Sequence, residues 1–171
     1  SGLTTLPIPK KIGGRFSVFS PVGLLPLMAA GLKIEKLLEG ARSITDACLN
    51  ENILDNPAAI SAAVSFIYSR RWRVIHDTFL FHPELESLGK WYRQLLAESI
   101  GKEKNINGKK INAGITPTVS IGSNDLHSIA QLYLGGPKDK FTTFIWSQHI
   151  NSVPEVPRDR LFPEINEQIT G

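Results

Sequence analysis

The feature that most restricts the fold of this chain is a regular alternation of strand-like and helix-like segments between residues 73 and 146. Residues 73–81, 116–121 and 140–146 are rich in β-branched and aromatic side chains, which is typical of strands, and helical patterns fill 84–100 and 124–134. Strands that alternate with helices form βαβ units, whose strands are parallel and whose helices cover both faces of the sheet. We therefore expect an α/β fold, a three-layer αβα sandwich with a mainly parallel sheet of the flavodoxin-like type.

Three further helices are predicted ahead of the first strand. A serine followed by a proline at 20–21 is suited to start a helix over 22–32, and helical patterns also cover 34–49 and 57–69. The segment 22–32 is apolar on nearly all sides, so we expect that helix to be buried. The segment 34–49 alternates apolar and polar positions at helical spacing, so we expect it on the surface.

Charge and length indicate one soluble globular domain. The chain has 171 residues and a formal charge of +3, enough for a single ordinary core. Its densest basic cluster is interrupted by Asn and Gly and is expected to form a solvated hairpin or loop, since no aromatic side chains interleave it as in a nucleic-acid groove. A role in attracting an anionic substrate is the other alternative. The cluster consists of Lys102, Lys104, Lys109 and Lys110.

Several compartments and chemistries receive no support from the sequence. Cys48 is the only cysteine, so no internal disulfide can form, which fits a cytoplasmic protein. We see no apolar stretch of membrane-spanning length and no signal peptide. Ligands at metal-binding spacing, a Gly-rich dinucleotide motif, a P-loop and a nucleophile elbow are also not seen. We therefore expect no metal and no nucleic-acid or membrane partner.

Glu98 is the first candidate for chemistry. It lies at the edge of an apolar stripe on the predicted helix, beside Trp91 and Leu95, and in the final helical turn. Partial desolvation and the negative end of the helix dipole would both raise its pKa towards the range of a general base. The alternative is a surface glutamate that extends into water or pairs with Lys102 four residues later.

His127 is the second candidate. Ser123 is suited to cap the following helix, which would put His127 in the first turn, where the helix dipole lowers the imidazole pKa. A neutral imidazole near pH 7 can exchange protons. The alternative is a histidine that makes local hydrogen bonds. Since parallel sheets bind ligands at the carboxyl ends of their strands, we expect both Glu98 and His127 near that edge.

Arg15 is the third candidate. It follows Gly13 and Gly14, which permit a turn that brings the guanidinium close to another segment or a ligand. Arginine carries a permanent charge and a planar fork suited to phosphate or a developing oxyanion. A surface arginine after a flexible turn is the alternative.

Three separate stretches resemble the phosphoglucose isomerase family. Gly-Gly-Arg-Phe-Ser within 12–24 is similar to that family's Gly-Gly-Arg-aromatic-Ser signature. Glu-Ser-Ile-Gly-Lys within 91–102 is similar to its Glu-Ser-x-Gly-Lys segment, and Asp-Leu-His-Ser within 123–133 to its Asp-x-His-Ser segment. Lys10 departs from the family pattern but lies outside these motifs.

The resemblance implies a sugar-isomerase (SIS) fold and reversible isomerisation of glucose 6-phosphate and fructose 6-phosphate in glycolysis and gluconeogenesis, without a cofactor. By motif, Glu98 resembles the base that moves a proton between C1 and C2 through a cis-enediol. Arg15 resembles the cation that stabilises the enediolate, and His127 the residue that assists ring opening from the neighbouring subunit of a homodimer. Gly14 and Gln94 fall at substrate-binding positions.

The resemblance also implies a domain organisation. Residues 1–12 are expected to be a linker from a first domain, 13–152 a sugar-isomerase domain, and 153–171 a proline-rich tail leading to a C-terminal helix. The family's Ser/Thr-rich phosphate loop and its C-terminal catalytic lysine have no counterpart here, so we expect the chain alone to be nearly inactive. A non-catalytic sugar-phosphate-binding module and a purely structural dimerisation domain are the competing interpretations.

Overall fold

The structure is a computed structural model that describes Gly2 and residues 4–147. Single 3₁₀ turns lie at Gly14–Phe16, Ile53–Asp55 and Pro83–Leu85. The helices are α1 (Pro21–Ala29), α2 (Ile34–Cys48), α3 (Pro57–Arg70), α4 (Glu86–Ile100), α5 (Asn124–Ser128) and α6 (Ala130–Gly135). The strands are β1 (Ile75–Leu80), β2 (Lys102–Lys104), β3 (Lys110–Ala113), β4 (Thr116–Ile121) and β5 (Lys140–Ile145).

Within the described residues, the main sheet has three strands in the order β4-β1-β5, all parallel. Ile75 pairs with Thr116 on one side and with Lys140 on the other, and the register holds to the end of β1. The first parallel strand therefore lies between the second and third, as in flavodoxin-like sheets. The predicted α/β fold and parallel sheet are confirmed.

Helices cover both faces of this sheet. On one face α4 lies so close that a Cβ added at Gly89 would come within 2.7 Å of Leu80 Cδ1 and 2.8 Å of Val119 Cγ1. On the other face, the Tyr133 hydroxyl of α6 lies 3.4 Å from Ser120 Oγ of β4. These contacts give the three layers that the sequence predicts.

The core is centred on β1. Phe79 and Leu80 are buried. Asp77 is buried completely as well, and its Oδ1 accepts hydrogen bonds from Thr118 Oγ1 at 2.7 Å and Ser120 Oγ at 2.9 Å. The two hydroxyls on β4 satisfy this oxygen, whereas Asp77 Oδ2 is buried without a hydrogen-bond partner among the described residues, so the cost of burying the carboxylate is only partly compensated.

The outer edge of β4 is largely closed. Thr116 donates its N–H to the carbonyl of Val74, just before β1, and Gly122 donates to that of Leu80, at 2.7 Å each, so the alternate residues Val119 and Ile121 direct their N–H groups away from the sheet. Pro117 has no N–H to leave unpaired. The N–H of Ile121 donates to Asp125 Oδ2 at 2.6 Å.

Two predictions about helices are wrong. Helix α1 ends at Ala29 and is not buried, since Val22, Leu25 and Met28 are 48–53% exposed; an apolar composition does not by itself supply a covering element. The helix predicted over 124–134 is broken at Ile129, where α5 ends and α6 begins.

The basic cluster forms the predicted hairpin. Strands β2 and β3 pair in antiparallel fashion and carry these lysines around a turn at Gly108, whose φ is +77°. No helix in the described part of the chain is both long and apolar enough to cross a membrane. The predicted tail at 153–171 lies outside the described residues.

Candidate active site

Glu98 and Arg15 meet although 83 residues separate them in sequence. Glu98 lies in the last turn of α4, and Arg15 lies in the 3₁₀ turn Gly14–Phe16 that packs beside this helix. Arg15 Nη1 donates a hydrogen bond to Glu98 Oε2 and forms an ion pair with it. The structure therefore brings together two of the three predicted chemical groups.

The second carboxylate oxygen of Glu98 is also occupied. Gln94, one turn earlier on α4, donates from Nε2 to Glu98 Oε1 at 3.1 Å. Lys102 Nζ contacts the backbone carbonyl of Glu98 at 3.2 Å. The alternative of a Glu98–Lys102 side-chain pair is thus wrong, and the partner of the carboxylate is Arg15.

These hydrogen bonds lower the pKa of Glu98. The largest contribution is the hydrogen bond from Gln94, followed by that from Arg15, and both favour the ionised carboxylate over the protonated acid. Partial burial of the carboxylate acts in the opposite direction but does not outweigh them. The predicted upward shift of this pKa is therefore wrong. The sequence pattern around Glu98 contains no sign of the distant guanidinium.

Trp91 is a contributor that the sequence analysis did not assign to the site. Its indole Nε1 donates to the backbone carbonyl of Arg15 at 3.1 Å, which ties the 3₁₀ turn to α4. Arg15 Nε is buried and has no hydrogen-bond partner among the described residues. Trp91 thus fixes the backbone of Arg15 beside α4. Its only sequence signal was its position one turn before Leu95 on the same helical stripe.

Gly14 starts the turn that carries Arg15. Its carbonyl accepts from Ser17 Oγ at 2.7 Å and from Ser17 N at 3.2 Å. A Cβ added at Gly13 or Gly14 would meet no atom within 4 Å. Packing against the described residues therefore does not require glycine at either position, and no described atom crowds the backbone there.

An open cavity of about 600 Å³ lies along α4 beside these groups. It is lined by Lys90, Trp91, Arg93, Gln94, Ala97 and Glu98. A larger cavity of about 790 Å³ lies between α3 and α4, but its lining includes none of the predicted site residues. The chemistry therefore identifies the smaller cavity as the candidate site.

His127 lies elsewhere. It is exposed in α5, and its imidazole has no hydrogen bond, ion pair or ring contact within the described residues. Ser123 holds the N-cap position but makes no side-chain cap. Helix α5 has five residues, and His127 is in its last turn. Because the helix is so short, His127 is within about one turn of both of its ends; the predicted longer helix and the side-chain cap by Ser123 are wrong.

Glu98 and His127 lie at opposite ends of the sheet. Helix α4 runs back from Gly89, which contacts the last residue of β1, to Gly101, which lies against Gly114 just before β4. Glu98 is thus near the amino ends of the strands, whereas His127 follows the carboxyl end of β4. The six residues of β4 alone span about 20 Å. The expectation that both residues lie at the carboxyl edge is wrong for Glu98.

Comparisons with known proteins agree with the sequence motifs. The family profile described as phosphoglucose isomerase matches residues 4–158. The glucose-6-phosphate isomerase of Methanocaldococcus jannaschii is 41% identical over 161 residues, which are 94% of this chain and 37% of that protein. The glucose-6-phosphate isomerase of Carboxydothermus hydrogenoformans is 39% identical over 166 residues, which are 97% of this chain and 35% of that protein.

A solved structure shares the fold. The crystal structure of a hypothetical protein from Thermus thermophilus superposes with a TM-score of 0.83 at 31% identity, over 95% of this chain and 37% of that one. The chain thus spans little more than a third of the length of these relatives. The matching profile, the sequence identities and the shared fold together show that this chain belongs to the phosphoglucose isomerase family.

Proposed function

We propose that this chain supplies part of the active site of an aldose–ketose isomerase that interconverts glucose 6-phosphate and fructose 6-phosphate. The observation that carries this proposal is the arrangement around Glu98, whose two carboxylate oxygens are held by Arg15 and Gln94 at an open cavity. A positioned carboxylate beside a persistent cation is the pair that proton transfer next to a carbonyl requires.

Glu98 is the base that moves a proton between C1 and C2 of the open-chain sugar. Its lowered pKa keeps the carboxylate ionised at neutral pH, which is the form that accepts a proton. A positioned base contributes roughly 10²–10⁴-fold to the rate. The ion pair with Arg15, present without substrate, makes Glu98 a weaker base. Glu98 is therefore not at its most reactive in the substrate-free enzyme.

Arg15 resolves this conflict when substrate is bound. As the proton leaves carbon, negative charge develops on the enediolate oxygen, and the guanidinium of Arg15 stabilises it. Arg15 then donates its hydrogen bond to that oxygen instead of to Glu98. The carboxylate of Glu98 therefore becomes a stronger base as the enediolate forms. Gln94 continues to orient Glu98, and the open backbone at Gly14 allows the sugar to approach closely.

His127 assists ring opening in the active site of a neighbouring subunit. The imidazole of His127 is exposed, and it lies at the opposite end of the sheet from Glu98. Both observations support a homodimer in which each active site contains Glu98 of one subunit and His127 of the other. The remaining elements of the enzyme, including a phosphate-binding loop in a first domain, are provided by other parts of the polypeptide. The single cysteine supports a cytoplasmic location.

The first experiment tests the base. Glu98→Gln is introduced into the complete polypeptide that contains this chain, with Glu39→Gln on α2 as the control. Glu39 pairs with Lys36 on the surface at 2.9 Å, and neither residue lines the candidate site. We expect kcat for fructose 6-phosphate to fall at least 10²-fold in Glu98→Gln and to change less than twofold in the control.

A folded Glu98→Gln protein with unchanged kcat would overturn the assignment of the base. If the unsubstituted protein binds the sugar phosphate but does not turn it over, the non-catalytic binding module is the correct interpretation.

The second experiment tests the shared site. Glu98→Gln and His127→Ala proteins, each inactive, are mixed under conditions that exchange subunits. A mixed dimer has one site with both substitutions and one with neither. Random pairing should therefore restore about a quarter of the unsubstituted activity. A mixture with proven subunit exchange and no recovered activity would place both residues in the same subunit's site.

A further inference from the structure

Asp125 makes two hydrogen bonds that connect α5 to the sheet. Its Oδ2 accepts from the backbone N–H of Ile121, the last residue of β4, at 2.6 Å. Its Oδ1 accepts from Ser128 Oγ, at the end of α5, at 2.8 Å. One carboxylate therefore joins the outward N–H of an edge strand to both ends of a five-residue helix.

This connection matters because α5 is short. Ser123 makes no side-chain cap, and the helix is broken from α6 at Ile129. A helix of five residues has only about one turn of internal hydrogen bonds and is not stable in isolation. The orientation of α5 consequently depends on its contacts with β4 and α6, and Asp125 makes the side-chain hydrogen bond to β4.

Helical geometry relates this anchor to His127. Successive residues of an α-helix are about 100° apart, so residues two positions apart lie on nearly opposite sides. With Asp125 directed at the edge of β4, His127 is directed away from the sheet, in agreement with its exposure and lack of intrachain partners among the described residues.

From these contacts we propose that Asp125 is a positioning residue that fixes α5 so that His127 is presented outward to the substrate bound by a neighbouring subunit. This inference rests on the proposed function, in which His127 opens the sugar ring. Asp125 itself does not touch the substrate. Its loss lets α5 rotate or fray, and a displacement of about 1 Å can cost a positioned group roughly 10²-fold.

The test measures ring opening separately from isomerisation. In the Glu98→Gln background the C1–C2 proton transfer is blocked, but ring opening and closing still interconvert the α and β anomers of glucose 6-phosphate, which exchange spectroscopy by NMR can follow. Asp125→Ala is compared in that background with Asp55→Ala. Asp55 is a matched aspartate in another short helical turn, where it accepts from Asn52 Nδ2 at 2.6 Å.

We expect Asp125→Ala to slow enzyme-catalysed anomer exchange about 10- to 100-fold and Asp55→Ala to leave it within twofold. Asp125→Asn retains a carbonyl oxygen that can accept from Ile121 and should restore most of the rate. If Asp125→Ala does not fold, Asp125→Glu is measured instead; its longer side chain keeps the charge but displaces α5, and the same loss is expected.

The outcomes separate the two proposals. Exchange that persists in His127→Ala refutes the role of His127 and this inference with it. Exchange that is lost in His127→Ala but retained in Asp125→Ala, or in Asp125→Glu, leaves the proposed function intact and overturns the positioning role. If anomer exchange is lost in Asp125→Ala and is not restored in Asp125→Asn, the effect is due to the charge of Asp125. That outcome also overturns the positioning role.

Discussion

The close packing at Gly89 leads to a quantitative prediction about α4, the helix that carries Glu98, and its contact with the sheet. A Cβ at this position would lie 2.7 Å from Leu80 Cδ1 and 2.8 Å from Val119 Cγ1. Carbon atoms in good contact are about 3.5–4.0 Å apart, so each contact would be about 1 Å too short. Leu80 is completely buried and has no room to withdraw, so the helix must move instead.

Gly40, in the middle of α2, is a matched control, because a Cβ there would meet no atom within 4 Å. Gly→Ala in a helix interior stabilises by about 1 kcal/mol. Gly40→Ala should show this gain in full. Gly89→Ala has the same gain, but overpacking costs about 1–3 kcal/mol. Because the gain in helix propensity is the same in both variants, only the overpacking distinguishes them. Their free energies of unfolding should therefore differ by about 1–3 kcal/mol.

Urea denaturation of the complete polypeptide, followed by tryptophan fluorescence, measures this difference. The same Gly89→Ala protein should also lose isomerase activity, because a shift of α4 displaces Glu98 relative to Arg15. If Gly89→Ala stabilises the protein as much as Gly40→Ala, the helix does not pack as closely as the structure shows, and the reasoning fails.

Three further outcomes are expected. Gln94→Leu removes the hydrogen bond that contributes most to the low pKa of Glu98, so this pKa rises. The acidic limb of the pH profile of kcat/KM should then move to higher pH, and a limb at the original pH would contradict this. His76 is 3% exposed, and burial lowers its pKa, so the stability it contributes is present above the unfolded pKa of about 6.5 and is lost as pH falls towards the folded value. Urea midpoints at pH 7.5 and 5.5 should show this decline, and His76→Leu should reduce it. Residues 1–171 alone should show almost no isomerase activity in a coupled assay, and ready turnover by a homogeneous sample would disprove this.

The strands were largely predictable from local sequence. β4 runs from Thr116 to Ile121 as predicted, because Gly114 and Gly122 limit a β-branched segment on both sides. The predicted strands 73–81 and 140–146 are correct to within two residues at each end. Local pattern suffices here because the strands lie in the sheet core, where side-chain type follows burial directly.

Features that depend on distant contacts were not predictable in this way. The pKa of Glu98 is set partly by Arg15, which only the folded chain brings near. The break at Ile129 is invisible in the helical pattern, because Asp125 anchors the first turn to β4 through the fold. The exposure of α1 likewise depends on what packs against it, which apolar composition does not specify.

The proline on β4 affects which edge of the sheet can pair with a further strand. Pro117 offers no N–H to an incoming strand, and the N–H of Ile121 is already committed to Asp125, so a new strand beside β4 would find few donors. β5, at the opposite side, contains no proline among its six residues. Any additional strand of this polypeptide should therefore join beside β5, while the β4 side resists the edge-to-edge pairing between molecules that leads to aggregation.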